Sequence, residues 1–388
     1  MEFLMSVPDR NAIVDTLRTA ALVGICVVNL PYMALPEAQT LSPSQEGQDQ
    51  ITAIVTSVFF EAKFFILFSF LFGWGMEIQH RVAERAKVNS SRRHKRRMIM
   101  LALFGVLHAV LVFSGDILLL YSLVGGLIWP LRRASPRRLI GFALGMVALS
   151  ILCLFLIGIM IDFFPAAPSA SVPGLGGGYL DTLRARLVAW PETFVFLVLF
   201  QGPLAACAFA MGLAAAKLDM LAPQAAHWRR RCALALPILV LIGLPLNIAY
   251  GQVASGPGLG WGEITDLLAF MSISVGGPIL TLAYICAIRL AGDAVRLPSV
   301  LVLAGRNSLS SYVLQGVLAG LVFGGYGLGL FGRFGQAWLI PISIALALAS
   351  MVIVGLYARL MGRGPLEALL RRVTYGVRPA SPIKAPSR

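Results

Sequence analysis

The chain has 388 residues, of which 58% are hydrophobic and only 13% charged, and it carries a formal net charge of +14. A soluble globular chain is about half apolar and about a quarter charged, so the deficit of charge excludes a string of ordinary soluble domains and indicates a membrane domain. The basic residues fall in short loops and in the tail, which argues against a nucleic-acid partner and for topology-setting charges that meet anionic lipid headgroups.

A helix needs about 20 apolar residues to cross the hydrocarbon core. In chain order the apolar runs predict ten spans: Ile13–Met33, Ile51–Met76, Met98–Phe113, Ile117–Leu131, Leu139–Phe164, Thr193–Ala216, Cys232–Gln252, Ile264–Ile288, Ser308–Tyr326 and Ala337–Leu360. The first is longer than a usual signal core, carries Asp15 and Arg18, and lacks a small-residue cleavage pattern, so it is expected to stay as a span. The third and fourth hold roughly 15 residues each and read as thin spans or as a re-entrant pair. Between the fifth and sixth lies a Pro- and Gly-rich segment, 164–178, followed by Tyr179–Trp190. There Leu180, Leu183, Leu187 and Val188 share one helical face, which predicts a helix lying on the outer membrane surface, with a partly ordered loop as the alternative.

Charge distribution sets the orientation. Residues 81–97 hold eight Lys/Arg; Arg132, Arg133, Arg137 and Arg138 crowd the next loop on that side, and Lys217 and Arg229–Arg231 the one after. The loops between them hold only Arg184, Arg186 and Arg333, which places both termini in the cytoplasm. The expected fold is therefore all-α, a polytopic transmembrane helix bundle.

Charged groups inside hydrocarbon cost several kcal/mol and usually face a cavity or a partner, so the few that interrupt these runs are site candidates. His108 lies in Leu103–Val112, about 16 Å from the cytoplasmic end of its run at 1.5 Å per residue. The other three histidines, His80, His94 and His227, fall in basic loops. A neutral imidazole relays protons near neutral pH, whereas the plain alternative for His108 is a bridge between helices. Asp116 follows in Ser114-Gly115-Asp116, where it either orients His108 or caps the next helix. Glu61 and Lys63 break the second run two residues apart, too close to face each other on a helix, so each needs its own partner. A cavity shared by spans two and three would gather Glu61, Lys63, His108 and Asp116. Asp15 and Arg18, three apart, can pair at the cytoplasmic end of the first span, and Arg306 and Asn307 enter the ninth from the same side. These four suit an anionic group such as the phosphates of a nucleotide-containing donor, or else simple interhelix pairing. Asn29 reads as a helix bridge. The five cysteines are scattered through apolar runs and read as small core residues. No phosphate-binding loop, dinucleotide loop or zinc-ligand spacing is present, and no metal is expected.

Three strings in the first third, Arg10–Asn29, Phe60–Met76 and Gly105–Gly125, together with Gly305–Gln315 and Gly364–Gly376, resemble the YeiB-like family of bacterial multispanning membrane proteins. The resemblance implies a single transmembrane domain: signature spans in 1–134, a divergent middle in 135–300, a second signature region in 301–378 and a tail in 379–388. It also implies a multi-pass place in the bacterial cytoplasmic (inner) membrane. Asp15, Arg18 and Ala21 are in addition similar to the first helix of a wider group of transmembrane acyltransferases, which move an acyl group from cytoplasmic acyl-CoA to an acceptor on the far side. Those enzymes carry a key His near the end of the first span or just after it. This chain has none between Asn29 and Lys63, and Thr19 stands where they have Gly, so His108 takes the role in this reading.

Two functions follow as expectations. In the first, an acyltransferase takes acyl-CoA as donor between Asp15/Arg18 and Arg306/Asn307. His108 acts as base or acyl carrier, Asp116 orients it and Lys63 stabilises developing negative charge. The acceptor is a small molecule, lipid or glycan; a homodimer is compatible with this class. In the second, a transporter or exporter of a small solute is driven by protons through His108, Glu61 and Asp116.

Overall fold

The computed structural model describes residues 11–36, 39–40, 47–163, 176–294 and 296–376. Every regular element among them is a helix. Helix α1 (Ala12–Asn29) starts where the Asn11 side chain accepts the Val14 N–H, and it buries Leu17, Ala21, Leu22 and Ile25. A short α2 (Pro31–Ala34) follows. The second apolar run forms two helices, α3 (Gly47–Phe59) and α4 (Lys63–Arg85). Then come α5 (Ser90–Leu111), α6 (Leu118–Ile128), α7 (Pro136–Phe163), α8 (Tyr179–Lys217), α9 (Ala226–Ala254), α10 (Glu263–Met271), α11 (Ile273–Ala291), α12 (Ser299–Arg306), α13 (Ser308–Phe323), α14 (Gln336–Met361) and α15 (Pro365–Tyr375).

Among the described residues seven helical stretches are long and apolar enough to cross a membrane: Ala12–Asn29, Gly47–Arg85, Pro136–Met160, Tyr179–Lys217, Ala226–Ala254, Glu263–Ala291 and Gln336–Met361. The chain is a membrane protein built as a helical bundle. Three of the ten expected runs fall outside this set: the fourth and ninth form shorter helices, and the third is the apolar half of α5, whose first turns are basic. At 1.5 Å per residue α6 is about 17 Å long and α13 about 24 Å, below the roughly 30 Å of the hydrocarbon core.

Two further expectations change. Tyr179–Trp190 is not a separate surface helix: α8 continues through Pro191 and Pro203 to Lys217. Its first turns are held by Tyr179 and Arg186, which both donate to the carbonyl of Leu111 at the end of α5. The connecting segment 164–178 falls almost wholly outside the described residues. His80 and His94 sit on α4 and α5 rather than in loops, and both are buried; the His94 ring stacks on Trp129 with centroids 3.9 Å apart.

The core lies where α4 meets α8. Gly212 lets the two backbones touch, since a Cβ there would overlap the carbonyl oxygen of Phe70. Phe72, Tyr121 and Phe209 fill the space beside it, with Phe72 stacked on Phe209 at 4.8 Å. Ser69 donates to the Tyr121 hydroxyl, which donates to the Phe65 carbonyl. At the basic end the two C-terminal signature strings interlock. Asn307 Oδ1 accepts the Gly364 N–H, and Glu367 accepts the N–H groups of Leu309 and Ser310, closing the start of α13.

Candidate active site

Helix α5 presents His108 in its last turn, on the face buried against the bundle. The helix stops there, with the His108 carbonyl accepting both the Val112 and Phe113 N–H groups. The chain turns through Ser114 and Gly115 and returns as α6. Asp116, just ahead of α6, does both jobs open to it in the sequence. Its Oδ2 accepts the Leu118 and Leu119 N–H groups at 2.8 and 3.3 Å, and its Oδ1 accepts from His108 Nδ1 at 2.8 Å. Tyr312 of α13 donates its hydroxyl to the same Oδ1 at 3.3 Å. Because a carboxylate only accepts, the imidazole carries a proton on Nδ1, and in the neutral ring Nε2 keeps its lone pair.

Both side chains are almost wholly buried, with His108 4% and Asp116 1% exposed. Nε2 has no hydrogen-bond partner. It borders a cavity of about 20 Å³, room for a water molecule, lined by Cys26, Asn29, Phe113, Tyr312, Gln315 and Gly316 among others. Gly316 keeps the space before the ring open, since a Cβ there would stand 3.0 Å from Nε2. Asn29, expected as a helix bridge, also lines this cavity. A second cavity of about 30 Å³ shares Met33 and Phe113 with the first and continues toward the end opposite the basic loops, past Ser114, Arg186 and Tyr326.

Glu61 and Lys63 do not join this site. The backbone breaks at Phe60–Ala62, with Ala62 in the left-handed region at φ 64°, which β-carbon residues seldom adopt. The break turns Lys63 back under α3, where its Nζ donates to the Ser57 carbonyl at 2.6 Å and to Asn247 Oδ1 at 2.9 Å. Glu61 accepts from the Tyr250 hydroxyl. Each thus has its own partner, as their spacing required. The single cavity expected for Glu61, Lys63, His108 and Asp116 is not formed, because the break directs the first pair toward α9.

At the basic end Arg306 grips Asp15 Oδ2 through Nε and an Nη, at 3.0 and 2.7 Å, while Arg18 stands 3.7 Å from Oδ1. Asn307 is spent on backbone, donating to Leu303 and accepting from Gly364, so it holds the helix junction. Arg97 joins the cluster from α5, within electrostatic reach of Arg18, its guanidinium over the Phe72 ring at 4.6 Å and its Nη1 buried without a partner. Among the described residues Asp15 is the only carboxylate paired with these three arginines, so the cluster retains positive charge. No group of three His, Cys, Asp or Glu residues that could hold a metal occurs among the described residues.

Residues 215–377 match the family described as "Protein of unknown function (DUF418)". Over 95% of its length the chain is 27% identical to "Uncharacterized protein YxaH" of Bacillus subtilis (strain 168), covering 94% of that protein. Over 94% of its length it is 28% identical to "Uncharacterized protein YeiB" of Escherichia coli (strain K12), covering 96%. The chain is similar to YeiB-like proteins. The resemblance carried by the N-terminal and C-terminal strings therefore holds across nearly the whole length. A third relative, the "Uncharacterized 39.9 kDa protein in amylase 3'region" of Bacillus acidopullulyticus, is 25% identical over 96% of the chain. No solved structure matches. The DUF418 match takes in most of the expected 301–378 signature region and begins well before it, inside the middle segment. In this chain the His108 site draws on both halves: Cys26, His108 and Asp116 lie outside the DUF418 match, whereas Tyr312, Gln315 and Gly316 lie inside it.

Proposed function

We propose that this membrane protein is an acyltransferase of the bacterial cytoplasmic membrane, crossing it several times with its basic end in the cytoplasm. The observation that carries the reading is the oriented His108 ring: Nδ1–H held by Asp116, Nε2 buried, unpartnered and facing a cavity. That is the arrangement a general base requires. Nε2 takes the proton of an acceptor hydroxyl or amine as its oxygen or nitrogen attacks the thioester carbonyl. The carbon–sulfur bond then breaks, and the proton passes to the leaving thiolate, giving acylated acceptor and free CoA.

The arginine cluster at the basic end supports a cytoplasmic donor. Arg18, Arg97 and Arg306 offer more positive charge than Asp15 neutralises, which suits CoA phosphates. Along α1 the rise from Arg18 to Cys26 is about 12 Å, a length comparable to an extended pantetheine arm. Leu22 and Gln315, which donates to the Leu22 carbonyl, fill that stretch, so the arm has to part α1 from α13. Lys63 lies outside the reaction in this scheme and serves the helix break.

A proton-coupled exporter is the second reading, favoured by one observation: the break between α3 and α4, with a fully buried Lys63, resembles the discontinuous helices of transporters. The test is acetyl-CoA binding to the purified protein in nanodiscs, for wild type, Arg18→Ala, Arg306→Ala and His108→Gln. Acyltransfer requires saturable binding that the two arginine variants weaken, and thioester cleavage that His108→Gln abolishes with binding intact. No binding at any acyl length, together with solute flux that follows a pH gradient, overturns it in favour of export.

A further inference from the structure

We infer that the second cavity, at the end opposite the basic loops, is a binding site for an oxyanion, with Arg186 as its ligand. Arg186 is 5% exposed, and among the described residues no Asp or Glu pairs with it. One Nη donates to the Leu111 carbonyl at 2.8 Å, capping α5. That bond satisfies one donor of five and leaves the formal charge without a counter-ion. A buried, unpaired guanidinium is costly unless something negative meets it. The same residue borders the cavity of about 30 Å³, whose wall also offers the Ser114, Tyr32 and Tyr326 side chains. Gly320 and Gly324 leave that wall without side chains.

The position gives the site its meaning. Its cavity and the His108 cavity share Met33 and Phe113, so a molecule anchored by its anionic group at Arg186 can extend a hydroxyl or amine past Phe113 toward Nε2. This rests on the acyltransferase reading and names its acceptor class: a hydroxyl or amine compound bearing a phosphate or carboxylate, reached from the outer side. The anion comes either from a lipid headgroup or from a free solute.

The test uses the full-length protein without CoA. In phosphatidylcholine nanodiscs, binding of radiolabelled inorganic phosphate is measured for wild type, Arg186→Gln, Arg186→Lys and Arg306→Ala. In parallel, phosphatidylglycerol retained by protein extracted from mixed membranes is counted by native mass spectrometry. The Tyr179 hydroxyl also donates to the Leu111 carbonyl, so in Arg186→Gln the α5 end stays capped while the charge is lost. The expected result is a saturable component that weakens about ten-fold or more in Arg186→Gln, persists in Arg186→Lys and is unaffected by Arg306→Ala. Dependence on Arg186 in the phosphate arm assigns a soluble anion, and in the lipid arm only, a headgroup. If neither arm depends on Arg186, the inference is overturned. Because CoA is absent, Arg186-dependent binding alongside failed acetyl-CoA binding would leave the anion site standing and remove only the acyltransferase reading.

Discussion

Replacing Asp116 with Asn tests the site at its most constrained point. The two carboxylate oxygens accept four hydrogen bonds: from His108 Nδ1, the Tyr312 hydroxyl and the Leu118 and Leu119 N–H groups. An amide has one accepting oxygen. The favoured placement keeps that oxygen on the two helix N–H groups, since backbone donors cannot move, and turns the amide NH₂ toward His108. The imidazole must then accept at Nδ1, so its proton shifts to Nε2 and the base is lost without any change of shape. In the serine proteases the equivalent wrong-tautomer substitution lowers turnover about 10⁴-fold, roughly 5.4 kcal/mol of barrier. The fold loses only the charge on two hydrogen bonds and the Tyr312 contact, about 1–3 kcal/mol. The assays are nitrogen-15 NMR of labelled histidine, which reports the tautomer, thermal unfolding in detergent, and thiol release from acetyl-CoA. Asp116→Asn with acyl transfer within ten-fold of wild type, at an unchanged His108 tautomer, would refute the orienting role.

Gly316→Ala should also silence His108, because the new Cβ stands 3.0 Å from Nε2 and 2.7 Å from Val112 Cγ1; thiol release is lost while crowding costs about 1–3 kcal/mol in thermal unfolding. Cys26, buried on the wall of the His108 cavity, should react slowly with a membrane-impermeant thiol reagent applied from the outer side, and faster in Phe113→Ala, which widens the wall common to the two cavities. Peptide mapping locates the label, and labelling that is indifferent to Phe113 contradicts this route. Lys63→Met leaves the Ser57 carbonyl and the Asn247 amide oxygen unpaired, a loss of about 2–6 kcal/mol in thermal unfolding. Adding Asn247→Leu should restore part of it, since removing both partners is milder than removing one.

The apolar runs marked nearly every long helix, because a run of that length has few other uses. The isolation of His108 and Asp116 within them marked the site. Their eight-residue spacing was informative for a reason different from helical periodicity: the helix ends at Leu111, and a tight turn brings Asp116 back onto the ring. Tyr312, Gln315 and Gly316 reach His108 from about two hundred residues away, a juxtaposition that only packing creates. Arg97 and Arg186 were hidden by their neighbours. Arg97 ends a segment that holds eight Lys/Arg and Arg186 lies in a stretch whose apolar face suggests a surface helix, so each reads as solvated until the buried, unpartnered Nη1 of Arg97 and the burial of Arg186 single them out. The break at Phe60–Ala62 carries no Gly or Pro, which is why the second run reads as one helix.

The shortness of the apolar part of α5 has an electrical consequence. In the proposed orientation its apolar part rises about 21 Å from Met98 to Leu111, leaving roughly 9 Å of the hydrocarbon thickness to be bridged on the outer side by the two cavities. Water or a ligand there carries the outer potential inward, so most of the membrane voltage falls between His108 and the cytoplasm. A proton reaching Nε2 from outside then crosses at most about a third of the field, at most about 0.7 kcal/mol per 100 mV. Acyl transfer fed with acceptor from that side should run nearly as fast in de-energised vesicles as in energised ones.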